Sequence, residues 1–213
     1  MIAPTTTAGQ ENATQKALSV KDTDPTHFLI RATQGHSIKG LDAAALLEKL
    51  TLSEEPSLPN TVVHGTFHSA WPAILASGGL KCMGRNHVHF ATGPALDSVL
   101  PGDGKPVQAD PGQVISGMRR DAQVLIYVDV RKALQAGCPF WRSENGVILS
   151  EGVSTDGGNG VVPVDFFDAV VERKNGLGKI WERGTVIRDL PPELTKKGTP
   201  KGRVVEKREA SNT

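Results

Sequence analysis

Apolar residues in this chain come in short runs, and most of those runs read as strands. Ala122 to Val130 (Ala-Gln-Val-Leu-Ile-Tyr-Val-Asp-Val) is apolar enough to be a central strand. Phe140-Trp141-Arg142 and Val147-Ile148-Leu149 flank Glu144-Asn145-Gly146, and Asn-Gly between β-rich runs predicts a hairpin. Further strands are predicted at Phe28 to Ala32, Thr61 to His64, Val161 to Val162 and Phe166 to Val171. Around position 88 the pattern alternates, so Val88 and Phe90 share one face of a strand and His87 and His89 the other. Helical spacing is confined to three short stretches. Ala43 to Leu50 follows a possible cap at Asp42 and puts Leu46, Leu47 and Leu50 on one face. Ser69 to Ser77 has Ser69 as cap, Pro72 in its first turn and Gly78-Gly79 as its stop, and Arg131 to Ala136 ends at Gly137. Thr92 to Gly112, with four prolines and four glycines, is a surface loop by composition. Short strands, few helices and no regular βαβ alternation predict an α+β fold. No Gly-x-Gly-x-x-Gly follows a strand, which excludes a Rossmann site.

Composition narrows the folded region. Of the 213 residues, 1–25 are rich in Thr, Ala and Gln without an apolar period, and 183–213 are basic and proline-punctuated. Neither stretch has enough apolar surface to offset the entropy of ordering it, so both are expected to be disordered tails around one domain at 26–182. The net charge of +1 excludes a broad phosphate-binding surface and leaves room only for a local basic groove. No run approaches the roughly 20 apolar residues of a membrane span, and no signal-peptide pattern opens the chain. Cys82 and Cys138 have neither zinc-type spacing nor the numbers for a disulfide framework, which suggests a reducing cytoplasm or nucleus.

Candidate chemistry concentrates between Val63 and Phe90. Four of the six histidines lie there (His64, His68, His87 and His89), beside Arg85 in a Gly-Arg-Asn turn. Neutral rings with a permanent cation suit an anionic ligand such as a dinucleotide or a phosphorylated nucleic acid. Arg85, Arg119 and Arg142 each lie next to a turn residue or strand end, where a guanidinium can clamp phosphate, and Ser116-Gly117 offers hydroxyl and backbone donors. His87 and His89 could ligate zinc with His64 or His68, but no carboxylate or cysteine accompanies them at a recognisable spacing, so no metal is expected. No Gly-x-Ser-x-Gly elbow is present.

Six motifs then agree in content and order with one family. Gln34-Gly35-His36-Ser37-Ile38, His64-Gly65-Thr66, Met83-Gly84-Arg85-Asn86-His87-Val88-His89, Val114-Ile115-Ser116-Gly117-Met118-Arg119, Pro139-Phe140-Trp141-Arg142-Ser143 and Asn145-Gly146-Val147-Ile148-Leu149 resemble the tRNA 2'-phosphotransferases from about Phe28 to Val171. The resemblance implies an ADP-ribosyltransferase-like lobe of two small packed sheets around a cleft for NAD. It also implies a reaction in which the RNA 2'-phosphate displaces nicotinamide from NAD, ending in repaired RNA and ADP-ribose 1'',2''-cyclic phosphate. An ionised phosphate needs positioning and charge compensation rather than a base, which suits arginines in place of a catalytic carboxylate. Carried over by motif, His64, Gly65, Thr66, His89, Ser116, Gly117, Phe140 and Arg142 would contact NAD. Arg85, Asn86 and Arg119 would hold the RNA phosphate, and Arg85 and His87 would act in catalysis.

The chain also departs from that pattern. Family members begin with a winged-helix lobe carrying Leu-Leu-Arg-His, whereas this sequence has no Arg-His dipeptide and reaches Gln34-Gly35-His36-Ser37 after 33 residues. The expectation is an NAD-binding lobe without its amino-terminal companion, acting as a monomer on tRNA with an internal 2'-phosphate. Two alternatives stay open: ADP-ribosyl transfer to another phosphate acceptor, and a catalytically weak paralogue that only binds NAD or ADP-ribose.

Overall fold

The computed structural model describes residues 47–100, 116–154 and 160–196. Its strands are β1 (Leu47–Lys49), β2 (Val63–Thr66), β3 (Gly79–Lys81), β4 (Val88–Phe90), β5 (Val124–Val128), β6 (Trp141–Ser143), β7 (Ile148–Ser150), β8 (Val161–Pro163), β9 (Phe167–Glu172), β10 (Gly178–Glu182) and β11 (Thr185–Val186). The helices are α1 (Trp71–Ala76), α2 (Leu96–Val99), α3 (Val130–Gln135) and α4 (Pro192–Thr195), with a 3-10 segment at Leu52–Ser57. Five strands form one sheet in the order β11-β10-β9-β5-β2, four form another in the order β1-β6-β7-β4, and β3 pairs with β8. Every one of these pairings is antiparallel, so the fold is α+β as the pattern predicts.

The unbroken apolar run has its reason in this topology. All five residues of β5 are buried, because β2 and β9 flank the strand and both of its faces are covered. The hairpin also forms: β6 and β7 pair around Asn145-Gly146, and the Gly146 N–H donates to the Ser143 carbonyl across 2.8 Å. Trp71 of α1 meets Trp181 of β10 edge-on at 6.4 Å, and Phe167 of β9 meets the same ring at 6.0 Å. That aromatic contact docks α1 on the five-stranded sheet.

Several expectations are corrected. Residues 43–46 of the predicted helix lie outside the described residues, and Leu47–Lys49 is an edge strand paired with β6, Lys49 opposite Trp141. Leu50 follows it into the core, 2% exposed, with its N–H donating to the Phe140 carbonyl. Pairing and burial here outweigh the helix propensity of a leucine-rich run. Helix α1 begins later than expected: its cap position is Ala70, without a side-chain cap bond, and not Ser69. The sheet also continues past Glu182, since β10 turns into β11, so the fold extends beyond the boundary that composition drew. Phe28 to Ala32, Gln34 to Ile38, Val114, Ile115 and residues 101–112 of the predicted loop lie outside the described residues. Among those described, no helix is long and apolar enough to cross a membrane.

Two features join the sheets at one place. The Val63 N–H donates to the Ala91 carbonyl at 3.0 Å, and the Ala91 N–H returns a bond to Val63 at 2.8 Å. This bridge sits at the start of β2 and just past β4, so the histidine-bearing strands of the two sheets run side by side.

Candidate functional site

A cleft of about 930 Å³ opens where β2, α1 and the segment 79–89 converge, a volume in the range of small-molecule sites. One wall is the end of β2, presenting His64, Gly65 and Thr66 and then Phe67. A second wall is one face of α1 and its flanks. Ala70, Ala73, Ile74 and Ser77 follow helical spacing and give it an apolar lining. The third runs from β3 through the turn at Met83, Gly84 and Arg85 to His87 and His89, with Arg119 closing the rim.

The ring nitrogens are fixed by backbone carbonyls. His64 Nδ1 lies 2.9 Å from the His89 carbonyl, and His89 Nδ1 lies 3.1 Å from the His87 carbonyl. A carbonyl can only accept, so each Nδ1 carries the proton and each neutral ring keeps an acceptor at Nε2. Burial lowers the His64 imidazole against the pull of the His89 carbonyl, and the Arg119 charge lowers it further. Burial, followed by the Arg85 charge, pushes His89 down to about 4. Both rings are therefore neutral at pH 7. His89 Nε2 is buried without a hydrogen-bond partner among the described residues, an acceptor that a ligand N–H or O–H would satisfy. His87 is buried edge-on against Trp141 at 5.7 Å, with Nε2 3.7 Å from a Glu151 carboxylate oxygen.

Permanent charge comes from two arginines. Arg85 and Arg119 are both exposed and line the cleft, and among the described residues neither forms an ion pair with a carboxylate. The Arg119 guanidinium instead lies 5.7 Å over the Phe67 ring. No carboxylate lines the cleft among the described residues. Neutral acceptors beneath a cationic rim, beside an apolar helix face, can receive hydroxyls and amides, anionic groups and a flat ring at once.

The structure thus brings together seven of the residues singled out by sequence: His64, Gly65, Thr66, Arg85, His87, His89 and Arg119. Asn86 lies in the same turn but does not line the cleft. Ser116 and Gly117 are not lining residues either. Gly117 has a positive φ of 88°, and a Cβ there would meet the Phe90 carbonyl at 2.6 Å, so glycine lets this loop pack against the back of β4. Two residues expected at the ligand, Phe140 and Arg142, do not line this cleft. Phe140 is 0% exposed, tilted against Phe90 at 5.7 Å inside the core. Arg142 faces Glu48 of β1 at 3.4 Å and donates to the Ser57 carbonyl at 2.5 Å, because the β1–β6 register places Glu48 opposite it. Missed by sequence were Phe67 and the α1 face, although the spacing Ala70, Ala73, Ile74, Ser77 carried the signal for the latter. Gly65 also has a packing reason: a Cβ there would lie 2.5 Å from Met118 Cγ, so the Met118 side chain presses directly on the β2 backbone.

Comparison with known proteins gives a consistent result. The model of the RNA 2'-phosphotransferase, Tpt1/KptA family matches residues 10–152. The chain is 46% identical over 135 residues to tRNA 2'-phosphotransferase 1 of Homo sapiens, covering 63% of this chain and 46% of that protein. It is 42% identical over 144 residues to tRNA 2'-phosphotransferase 1 of Bos taurus, covering 68% and 48%. To the tRNA 2'-phosphotransferase of Saccharomyces cerevisiae it is 31% identical over 167 residues, covering 73% and 62%. The chain spans about half the length of the human and bovine proteins it matches.

Proposed function

Because the chain belongs to the RNA 2'-phosphotransferase, Tpt1/KptA family, we propose that it removes the splice-junction 2'-phosphate from ligated tRNA with NAD as co-substrate. The observation that carries this reading is the pairing of neutral acceptors, His64 and His89, with two cations, Arg85 and Arg119, in one cleft. NAD would supply an electrophilic sugar carbon, exchanging its bond to nicotinamide for one to the 2'-phosphate, which would then leave the RNA as ADP-ribose 1'',2''-cyclic phosphate.

The fit to NAD rests on the orphaned acceptor. His89 Nε2 is buried without a partner among the described residues, and the carboxamide and ribose hydroxyls of NAD are the donors it lacks. His64, Gly65 and Thr66 would hold the nicotinamide riboside from the β2 side, with the Ala73 and Ile74 face against a flat ring. Arg85 would hold the RNA 2'-phosphate, and Arg119 would share its charge at the rim. A phosphate is already anionic at neutral pH, so these cations orient it and offset charge instead of removing a proton. His87, buried beside Arg85, would keep the floor of that subsite dry and shaped. In this reading the protein acts as a monomer. The two buried free cysteines fit a reducing cytoplasm or nucleus.

The test is to incubate the full chain with NAD and RNA bearing an internal 2'-phosphate and to separate the products. Dephosphorylated RNA with cyclic ADP-ribose phosphate supports the reading. A stable ADP-ribosyl adduct on RNA would reassign the acceptor chemistry. Bound but unconsumed NAD would leave a binding protein and overturn the proposed reaction.

A further inference from the structure

Behind the β2 wall lies a polar knot that the proposed reaction does not use. His68 is 3% exposed, and its Nε2 lies 2.9 Å from Oε1 of Glu172, itself 1% exposed and 104 positions away. Glu172 ends β9 and gathers donors from the turn that follows it. The Lys174 N–H reaches Oε1 at 2.8 Å, the Asn175 N–H spans both oxygens at 2.9 and 3.0 Å, and the Leu177 N–H reaches Oε2 at 3.1 Å. The Asn175 side-chain amide adds another bond at 3.1 Å. Burial pushes this carboxyl up, but the bonds from His68 and from the Leu177, Lys174 and Asn175 backbone outweigh it and hold the group below its ordinary value. It is a buried, fully solvated anion whose solvent is protein.

The knot grips both neighbours of Phe67. The His68 N–H donates to the Gln123 side-chain carbonyl at 3.1 Å, and the Gln123 N–H donates to the Thr66 carbonyl at 2.8 Å. Phe67 is left lining the cleft between two pinned residues, with the Arg119 guanidinium 5.7 Å over its ring. A buried carboxylate with its hydrogen-bonded partner adds little stability over apolar side chains of the same size, so the network's worth lies in the single geometry that it imposes.

We propose that Glu172, acting through His68 and Phe67, is a positioning residue that sets where the Arg119 cation stands at the rim of the cleft. The proposal rests on the reading of this cleft as the site of an RNA 2'-phosphate. A guanidinium on an exposed side chain samples many rotamers. A cation–π contact with a fixed ring removes many of them before the anion arrives, and the gain should appear as affinity for phosphate.

The test is a double-mutant cycle read by binding, which does not depend on turnover. Fluorescence polarisation with the full chain measures the preference for an RNA carrying an internal 2'-phosphate over the same RNA without it. Arg119→Ala and Glu172→Gln are each expected to lower that preference about tenfold, and the double variant is expected to lose no more than either alone, because the two act as one unit. Phe67→Leu leaves the Glu172 knot intact and is expected to give the same loss and the same non-additivity, which keeps the test decisive if Glu172→Gln does not fold. Losses that add in the double variants, or a Phe67→Leu protein with wild-type preference, overturn the proposal while the phosphate reading stands. A wild-type protein that does not distinguish the two RNAs overturns both.

Discussion

The Nδ1 nitrogen of His64 on β2 donates to the carbonyl oxygen of His89 on β4 across 2.9 Å, a bond that crosses from one sheet to the other. It fixes the ring and leaves Nε2 as an acceptor in the cleft. His64→Ala removes that acceptor and the tie together. NAD affinity is expected to fall roughly 10- to 100-fold, the scale of one lost hydrogen bond in a desolvated site. Calorimetric titration checks it, and an unchanged dissociation constant would take His64 out of the binding site.

The two neutral histidines make stability depend on pH in a definite direction. His89 lies at about 4 and His64 below its ordinary value in the folded protein, while both return toward 6.5 on unfolding. Between pH 6.5 and 4 the unfolded chain therefore binds more protons than the folded one, and stability falls as pH falls through that window. Above it these rings contribute no slope. For His89 the loss is about 1–2 kcal/mol after discounting for the partial exposure of its ring. Melting temperatures between pH 7.5 and 5 measure the slope, and His89→Asn should flatten it. An equal slope in the variant would show that His89 is not a source of it.

Arg85 and His64 should separate in kinetics. Arg85→Ala is expected to slow phosphate transfer by about 10²-fold or more, the cost of losing one aimed cation or donor, with NAD affinity within threefold of wild type. Single-turnover rates and calorimetry on the same preparation read the two quantities. Equal losses in both would contradict a role on the phosphate.

Phe140 and Arg142 should behave as structural residues. Phe140→Ala is expected to cost about 3–5 kcal/mol of stability, since it empties a fully buried site. Arg142→Ala breaks a half-exposed contact to Glu48 and a bond to the Ser57 carbonyl. It should cost about 1 kcal/mol or less and leave NAD affinity within twofold. Denaturant unfolding and NAD titration decide the matter; a large loss of affinity in Arg142→Ala would return that arginine to the ligand.

What was readable in the sequence follows from how much of each signal is local. β5 and the Asn145-Gly146 hairpin carry their own evidence, an unbroken apolar run and a turn dipeptide, so both were legible. β3 and β10 were not, because Gly79-Leu80-Lys81 and Gly178-Lys179-Ile180-Trp181-Glu182 are too short or too mixed for a period and exist through pairing with β8 and β9. Leu47–Lys49 misled for the same reason, since its fate is set by a partner almost a hundred positions away. At the site, the crowding of His64, His87 and His89 around Arg85 pointed to the segment that lines the cleft. The directions of Phe140 and Arg142 did not follow from their motif, because the β1–β6 register and the packing on Phe90 decide them. Phe67 gave no chemical signal of its own; it matters through Arg119 above it and Glu172 behind it.

The most direct measurement is a crystal structure of the full chain grown with NAD. The expected result is nicotinamide riboside against His64, Gly65 and Thr66, with His89 Nε2 accepting from a ligand N–H or O–H. The dinucleotide bound elsewhere on the surface, or an empty cleft at saturating NAD, would contradict it.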